Sequence, residues 1–563
     1  MFSTSDSHPQ YNSILNLTMG FSSYFKAFVV LSLLSPLVPR ALADDVNIVF
    51  NLANSIVAPD GFSRAGVIVN GVFPGTLIQA NKDDVLHITV NDQLNNPTMR
   101  QSTSIHWHGL DLANHHETVF DFSSKCERLP RMVCPIAPGH SYTYDATCLR
   151  NTSMGFEDPE DPHLSLYDVD DASTVITLAD WYHNPAPGME EIFLQGNDEP
   201  IPDCGLINGA GRYVGGPQVV RARVNVVTGK RYRFRVVNIS AYAAFRFSIE
   251  GHSLTIIEVD GINHVPHTVD GFDIYVAQRY SVVLNANQPV ANYWIRGPMT
   301  LQHDSDNPNL DTKNVYAVLH YAGAPDAEPT TQADVSVSNL LQEYQLAALE
   351  NPGAPGGSAP ADRVIDLQFN SEVTNGRLMA SRYISSWISI LWEFNGIAYE
   401  SPDLPTLLNI IANGFTSPNN FTTTEHTFVI DRNEVIELVI HGSPSDSELT
   451  MAVIRTYSWL DKFKEARSST VLSTFTATRS TSSNPCKDRS IMSTHPVAML
   501  SALESSSASR LIIRDLDWHL EAGLAVVFAE RPNDQRSGPQ SEIIKQTWLD
   551  LCPIYKALPA SQQ

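Results

Sequence analysis

Residues 102–109 read STSIHWHG, a strand-like run that ends in two histidines separated by one tryptophan. In an extended strand, side chains two residues apart project from the same face. His106 and His108 are therefore expected to project together, with Trp107 packed behind them. Two neutral imidazoles on one rigid face form half of a metal site, and copper, zinc, iron and nickel all accept this ligand. Two surface histidines beside a packed tryptophan are the simpler interpretation, and the motif alone does not exclude it.

Short strands separated by turn residues surround this motif. In residues 86–92, which read LHITVND, apolar and polar residues alternate until Asn91 and Asp92 end the run. Asn70-Gly71 and Pro74-Gly75 supply residues that favour turns. Many short strands at this spacing predict an antiparallel sandwich.

The same alternation recurs in the middle of the chain. Residues 231–236 read RYRFRV, so an aromatic and apolar face lies opposite a face of arginines. Further strands are predicted at residues 245–249, 254–259, 280–284 and 435–440.

Length and charge narrow the class of protein. A chain of 563 residues is too long for one core and predicts two to four domains. The net charge of −24 argues against partners with a phosphate backbone and against anionic membranes. We therefore expect neither nucleic acid nor membrane as a partner.

The N-terminal residues have the pattern of a secretory signal. Lys26 precedes an apolar run at residues 27–34, and the small-residue site Ala41-Leu42-Ala43 follows. The run is too short to span a bilayer. We expect a leader over residues 1–43, with Met19 as the better start and a secreted, extracellular chain that begins near Asp44.

Motifs along most of the chain resemble those of the fungal laccases, the three-domain multicopper oxidases. They are DGFSR (60–64), VNG (69–71), FPG (73–75), SIHWHG (104–109), SLYDVD (165–170), ITLADWYH (176–183), LING (206–209), GKRYRFR (229–235), NYWIR (292–296), DWHLEAGLAVVFAE (517–530) and DLCP (550–553). The resemblance implies an all-β chain of three consecutive cupredoxin-like Greek-key β-sandwich domains. After the leader, these domains are predicted at residues 44–157, 158–327 and 328–563, the first and third incomplete.

The resemblance also implies an activity and a cofactor. Laccases oxidise phenolic or other aromatic small molecules by single electrons, reduce O2 to water, and use four copper ions per chain. The expected protein is a monomer. Its second domain would supply a wall of the substrate pocket and no copper ligand, so His183 and His252 are interpreted as structural. Tyr242 stands where many laccases place an acid that meets the phenol.

Three family copper ligands carry over onto this sequence. The resemblance assigns His106 to the single copper of the oxygen-reducing cluster and His108 to one of the coupled pair. It assigns His519 to the electron-accepting copper, with Leu524 at the weak axial position.

The remaining ligand motifs are interrupted. Ile513, Arg514 and Asp515 stand where the family has His-Cys-His, so a permanent cation replaces the thiolate that a blue-copper site needs. Residues 147–156 replace the second His-x-His motif, and the third motif is missing after His441.

The cysteines and glycosylation motifs complete the predicted site residues. By the resemblance, Cys134 pairs with Cys552 and ties domain one to the C-terminal tail; the other four cysteines lack the spacing of a zinc or iron–sulfur site. Glycosylation acceptor motifs begin at Asn151, Asn238 and Asn420.

Several segments lack a pattern that predicts regular structure. His115-His116-Glu117 is interpreted as a solvated loop, and the acidic run at residues 157–161 as an exposed interdomain loop. A linker rich in Pro, Gly, Ala and Ser occupies residues 351–361. Residues 456–509 are unpatterned, and their Ser/Thr-dense part cannot bury enough surface to fold alone.

Three hypotheses about function follow. The chain is a working laccase, a secreted non-catalytic cupredoxin-like glycoprotein, or the product of a mis-spliced or decayed laccase locus. The interruptions replace whole core strands, whereas a protein evolved for binding would keep its core and lose only ligands. We therefore expect the third alternative, a laccase-family chain that is catalytically impaired or inactive.

Overall fold

The computed structural model describes residues 44–81, 84–105, 107, 134–147, 155–157, 161–195, 199–301, 307–331, 336–349, 359–375, 388–441, 451–457, 509–513, 518, 522–537, 541, 544–559 and 562. Within these ranges, no helix is long and apolar enough to cross a membrane. His115–Glu117, the linker at 351–358 and residues 458–508 lie outside them.

Strands dominate the described structure and confirm the predicted all-β class. They are β1 (Asp45–Val57), β2 (Arg64–Val69), β3 (Ala80–Asn81), β4 (Val85–Asp92), β5 (Ser141–Thr147), β6 (Gly155–Glu157), β7 (Val175–Trp181), β8 (Cys204–Ile207), β9 (Ala210–Gly211), β10 (Arg223–Val226), β11 (Arg231–Asn238), β12 (Ala244–Ile249), β13 (Leu254–Val259), β14 (Ile262–Val269), β15 (Gly271–Ile274), β16 (Arg279–Asn285), β17 (Asn292–Arg296), β18 (Met299–Thr300), β19 (Tyr316–Tyr321), β20 (Arg363–Asn375), β21 (Ile388–Phe394), β22 (Thr427–Ile430), β23 (Val435–His441), β24 (Met451–Tyr457), β25 (Ser509–Ile513) and β26 (Ala525–Glu530).

A few helices accompany the sheets. The α-helices are α1 (Ala186–Leu194), α2 (Thr406–Asn413), α3 (Pro532–Arg536) and α4 (Gln546–Lys556). Short 3₁₀ turns lie at Leu164–Leu166, Ala172–Thr174, Glu343–Gln345, Pro418–Asn420 and Thr423–Glu425.

The predicted domain numbers are kept here as names for their residue ranges, and domain one contains a four-stranded sheet in the order β2-β1-β4-β5. Leu86, Ile88 and Val90 are fully buried on β4, as the alternation predicts. Helices from the C-terminal part of the chain complete this core, because Leu407 of α2 and Trp548 of α4 pack into it. Residues from the C-terminal part of the chain are therefore part of the core of domain one.

Domain two is a sandwich of two sheets around the largest apolar cluster. One sheet runs β10-β19-β17-β12-β15, with β18 beside β12, and the other runs β14-β13-β16-β11-β7-β8-β9. Phe234 and Leu284 of the second sheet meet Phe247 and Leu319 of the first, and all four are fully buried. Burial on this scale favours folding by roughly 1.5–3 kcal/mol per large apolar side chain.

The face of β11 opposite the apolar one is also buried. Arg233 and Arg235 are 0% and 1% exposed, although arginine is rarely buried without a partner. Asp161 accepts a hydrogen bond from Arg233 at 2.7 Å, and Asp170 accepts one from Arg235 at 2.6 Å. The interpretation of residues 157–161 as an exposed loop is therefore wrong at Asp161, whose side chain is fully buried as the counter-ion of Arg233.

The segment after domain two stays against its sheets. The Leu341 nitrogen donates to the Gly271 carbonyl at 2.9 Å, and the Val265 nitrogen donates to the Ala347 carbonyl at 2.8 Å. Leu341 is buried in the domain-two core. Residues 336–349 therefore pack with domain two, although the sequence-based boundary lies at residue 327.

Domain three has two small sheets, β21-β20-β23-β24 and β22-β26-β25. Ile365 and Leu438 from the first sheet pack with Val526 and Phe528 from the second. Parallel pairs join distant strands in every domain: β1 with β4, β7 with β11, and β20 with β23. A parallel pair cannot be closed by a tight hairpin, so each domain depends on crossover connections.

Candidate metal centre

The tryptophan of the His-Trp-His motif lies in the core of domain one. Trp107 is 7% exposed, and its ring centroid lies 5.5 Å from that of Tyr144 and 6.1 Å from that of Phe50. Just before it, the Thr103 nitrogen donates to the Ile136 carbonyl at 3.0 Å. The tryptophan packs as the motif predicts, whereas His106 and His108 lie outside the described residues.

The tryptophan before the third expected ligand lies where domain two meets domain three. Trp518 is 4% exposed and packs edge-on against Tyr182 and Phe193 of domain two, with centroids 6.2 and 6.1 Å apart. Tyr242 belongs to the same buried cluster, and its backbone nitrogen donates to Asp180 at 2.8 Å. His519 itself lies outside the described residues.

The expected axial position lies in the sandwich of domain three. Leu524 is fully buried in the cluster that contains Ile365 and Leu438. It directly precedes β26, whose Ala525 pairs with Ile513 at the end of β25. Arg514 and Asp515 lie outside the described residues.

The described residues do not by themselves form a metal site. Among them, no group of three or more His, Cys, Asp or Glu side chains is arranged to hold a metal ion. His106, His108 and His519 therefore remain predicted ligands, and their roles stay predictions.

Cys134 and Cys552 form a disulfide, with their Cα atoms 4.8 Å apart. Both cysteines are buried in the domain-one core beside Trp548 of α4. The bond ties domain one to the C-terminal helix across 418 residues of sequence. A bridge of this kind stabilises a fold by about 2–4 kcal/mol, mainly by restraining the unfolded chain.

A buried polar cluster between domains one and two was not anticipated. His183 Nε2 lies 2.7 Å from Asp60 Oδ2, and the ring of Phe62 stacks on His183 at 3.9 Å. The Cys204 thiol donates to Asp60 at 3.4 Å, and burial raises the pKa of this thiol well above its ordinary value. His183 is thus held as a structural group, and Cys204 stays protonated. Asp60 and His183 are 123 residues apart, so no local pattern indicates their contact.

His252, also interpreted as structural, is likewise buried and hydrogen-bonded. Its Nε2 lies 2.6 Å from the Tyr321 hydroxyl, and its Nδ1 lies 2.6 Å from the Glu250 carbonyl oxygen. Burial lowers the pKa of His252 despite the nearby carbonyl. Both ring nitrogens are thus hydrogen-bonded to residues of domain two.

One of the predicted glycosylation acceptors is buried. Asn238 is 1% exposed, and its Nδ2 donates to the carbonyls of Ala243 at 2.9 Å and Ile274 at 3.1 Å. A glycan on this nitrogen would remove both bonds and has no route to solvent, so the prediction for Asn238 is corrected. Asn420 lies in an exposed turn, and Asn151 lies outside the described residues.

Comparison with known sequences links the chain to copper oxidases. Two family models described as multicopper oxidase match residues 51–156 and 172–324. Laccase-4 of Thanatephorus cucumeris is 48% identical in an alignment of 435 residues that covers 73% of this chain and 78% of that protein. Laccase-2 of Agaricus bisporus is 39% identical in an alignment of 566 residues, gaps included, that covers 96% of this chain and 99% of that protein.

Solved structures show the same architecture. The laccase from Botrytis aclada matches with a TM-score of 0.66 and 21% identity, covering 92% of this chain and 93% of that one. The multicopper oxidase Fet3p, which functions in iron import, matches with a TM-score of 0.65 and 20% identity, covering 91% and 95% of the two chains. The predicted succession of cupredoxin-like sandwiches is confirmed by this shared fold.

Proposed function

Because the chain belongs to the fungal laccases of the multicopper oxidase family, we propose that its fold derives from a secreted, monomeric enzyme that oxidises phenols with O2. We further propose that the chain as written is catalytically impaired or inactive. Copper supplies the electron-transfer and oxygen-reducing chemistry of that family. Its phenolic substrates and O2 are therefore the partners expected of the parent enzyme.

The observation that carries the second part of the proposal is the donor set. By the resemblance, Arg514 stands at the position of the thiolate, and a guanidinium stays protonated and cannot bind a cation. Ile513 offers no donor atom. One carboxylate at Asp515 with three scattered histidines does not provide the ligands that four copper ions need. The residues present therefore do not fit a full set of copper ions.

A secreted, non-catalytic glycoprotein is the second candidate. Its support is the completeness of domain two, whose buried core and paired arginines require none of the interrupted motifs. The inactive laccase-family chain and the non-catalytic glycoprotein predict different copper contents and different transcripts, so both can be tested.

The first experiment loads the purified full chain with excess copper. We expect no intense thiolate-to-copper absorption, less copper than the family's four ions, and no O2 consumption with a phenol. Arg514→Cys should not restore activity, because the second histidine of that copper and most of the cluster are still missing. A chain in which all the interrupted motifs are restored together is the matched positive control.

Two outcomes decide between the alternatives. A blue preparation of the unmodified chain that consumes O2 would refute the proposal. Stoichiometric copper without colour or activity would favour the glycoprotein alternative. Sequencing complementary DNA across residues 113–133, 146–158 and 443–515 tests the mis-splicing hypothesis, since a transcript that encodes the missing motifs there would establish it.

A further inference from the structure

One carboxylate of domain one contacts both an imidazole and an ammonium group, which come from different parts of the chain. Asp145 on β5 lies with its Oδ1 2.6 Å from Nδ1 of His87 on β4. Its Oδ2 accepts a hydrogen bond from the ammonium of Lys545, the residue just before α4. Asp45 on β1 lies on the other side of the imidazole, with its Oδ1 3.5 Å from Nε2 of His87. The Asp145 side chain is 8% exposed, so its charge is poorly screened by water.

Helix physics does not explain a lysine at this position. Lys545 is the N-cap residue of α4, where the helix dipole disfavours a cation and a Ser, Thr, Asp or Asn is preferred. The helix buries Trp548, Leu551 and Cys552 in the core of domain one, and its N-terminal residue Lys545 lies beside Asp145 of β5. Lys545 is therefore positioned for Asp145 rather than for its own helix.

The charges of the two strand residues depend on each other. The hydrogen bond to Asp145 raises the pKa of His87 against the opposing effect of burial, and Asp45 adds to the rise. Burial alone would raise the pKa of Asp145, but the hydrogen bonds and charges of Lys545 and His87 outweigh it and lower this pKa. Asp145 thus stays ionised over the pH range in which His87 gains its proton, and that range is shifted above the ordinary histidine pKa. Of these two groups, His87 is the one whose charge changes in that range.

We propose that His87 and Lys545 compete for Asp145, so that protonation of His87 loosens the docking of the C-terminal helix on domain one. When His87 is neutral, Lys545 neutralises Asp145 without competition from the imidazole, and the contact between Lys545 and Asp145 is strongest. When His87 is protonated, it cancels part of the carboxylate charge and repels Lys545. The same proton tightens the contacts of β4 with β1 and β5, so acid strengthens the sheet while it weakens the tail contact.

The sign of the effect follows from linkage. A histidine whose folded pKa is raised adds stability to the sheet below its unfolded pKa, and this contribution is lost as the pH rises through the folded value. Docking of Lys545 places a second cation near His87 and therefore opposes its protonation. By reciprocity, protonation of His87 opposes docking to the same extent.

Hydrogen exchange of the full chain with its disulfide intact tests the proposal. Peptides over 546–556 are compared at about pH 5.5 and pH 8, on either side of the ordinary histidine pKa, after correction for intrinsic exchange. We expect these amides to open about 3- to 10-fold more often at the lower pH, from the Coulomb energy of two cations that share a carboxylate. Peptides of β11 in domain two provide the internal reference.

Two variants give the test its specificity. His87→Asn removes the titrating group and should abolish the pH dependence, whereas His140→Asn, on a histidine of the same domain that contacts the Pro138 carbonyl, should leave it intact. Unchanged helix opening between the two pH values, or a pH dependence that survives in His87→Asn, would overturn the proposal.

A second measurement does not depend on helix opening. In Lys545→Met the His87 pKa, followed by NMR, should rise above its value in the unmodified chain, because a nearby cation has been removed. A pKa that stays the same or falls would contradict the competition for Asp145.

Discussion

Replacement of Arg233 by methionine should destabilise domain two more than any surface change. Arg233 is fully buried, donates to Asp161 at 2.7 Å and to Glu258, and lies 3.7 Å from Asp170. Burial lowers the pKa of Arg233, but these carboxylates outweigh it and hold that pKa above its ordinary value. Methionine keeps much of the side-chain volume and removes the charge. Asp170 and Glu258 would keep Arg235 as a cationic partner, whereas Asp161 would lose its ion pair with Arg233.

The magnitude follows from breaking a buried ion pair on one side. Loss of one partner costs about 3–5 kcal/mol, because the other charge stays buried without compensation. At about 1.4 kcal/mol per factor of ten, amides that exchange only when domain two unfolds should exchange roughly 100- to 4,000-fold faster. Hydrogen exchange of peptides from β11 and β16 measures this directly.

The pH dependence separates charge from packing. In the Arg233→Met variant, the buried carboxyls lose the nearby cation, so burial acts on them without that compensation and disfavours their charged form. Carboxyls with raised pKa values destabilise the fold once the pH exceeds their unfolded pKa, near 4, and less below it. The loss of unfolding free energy in the variant should therefore be largest at neutral pH and smaller in acid.

Arg246→Met is the matched control. Arg246 lies in the same domain and pairs with Asp273 at 2.7 Å, but its side chain is 45% exposed. Exposed pairs contribute about 0–1 kcal/mol, so this variant should exchange almost like the unmodified chain. Equal effects of the two substitutions would refute the reasoning. If the loss of unfolding free energy in Arg233→Met did not change with pH, lost packing and not lost charge would be its cause.

Three further predictions concern processing and surface chemistry. The secreted chain should begin at or near Asp44, and N-terminal sequencing that found the leader retained on secreted material would contradict this. Limited proteolysis should cut residues 456–509 before residues 168–284, because the former lack apolar periodicity and the latter alternate regularly; the reverse order would overturn the domain assignment. Glycopeptide mapping should find sugar on Asn420 and none on Asn238, whose nitrogen is bonded to two buried carbonyls.

The strands and the family could be predicted from the sequence alone. Alternation on β4 and β11 reports one buried face, because side chains on a strand point alternately to opposite sides. Those signals are local, and so is the His-Trp-His motif whose tryptophan packs in the domain-one core. The pairing of Cys134 with Cys552 came from the resemblance, since spacing alone leaves many pairings open among six cysteines.

Tertiary structure decided which polar groups are buried and with what partners. The arginines of β11 alternate as an exposed face would, yet Asp161 and Glu258 reach Arg233 from 72 and 25 residues away and bury it. Asp145 contacts Lys545, which is 400 residues away in the sequence. The side-chain nitrogen of Asn238 is buried and donates to backbone carbonyls of other segments, so solvent does not reach it. The free-energy cost of desolvating a charge or an amide is offset by the hydrogen-bonding or ionic partners that folding brings to it. These partners come from elsewhere in the chain, so local sequence determines the strand while the assembled fold determines the chemistry of its polar face.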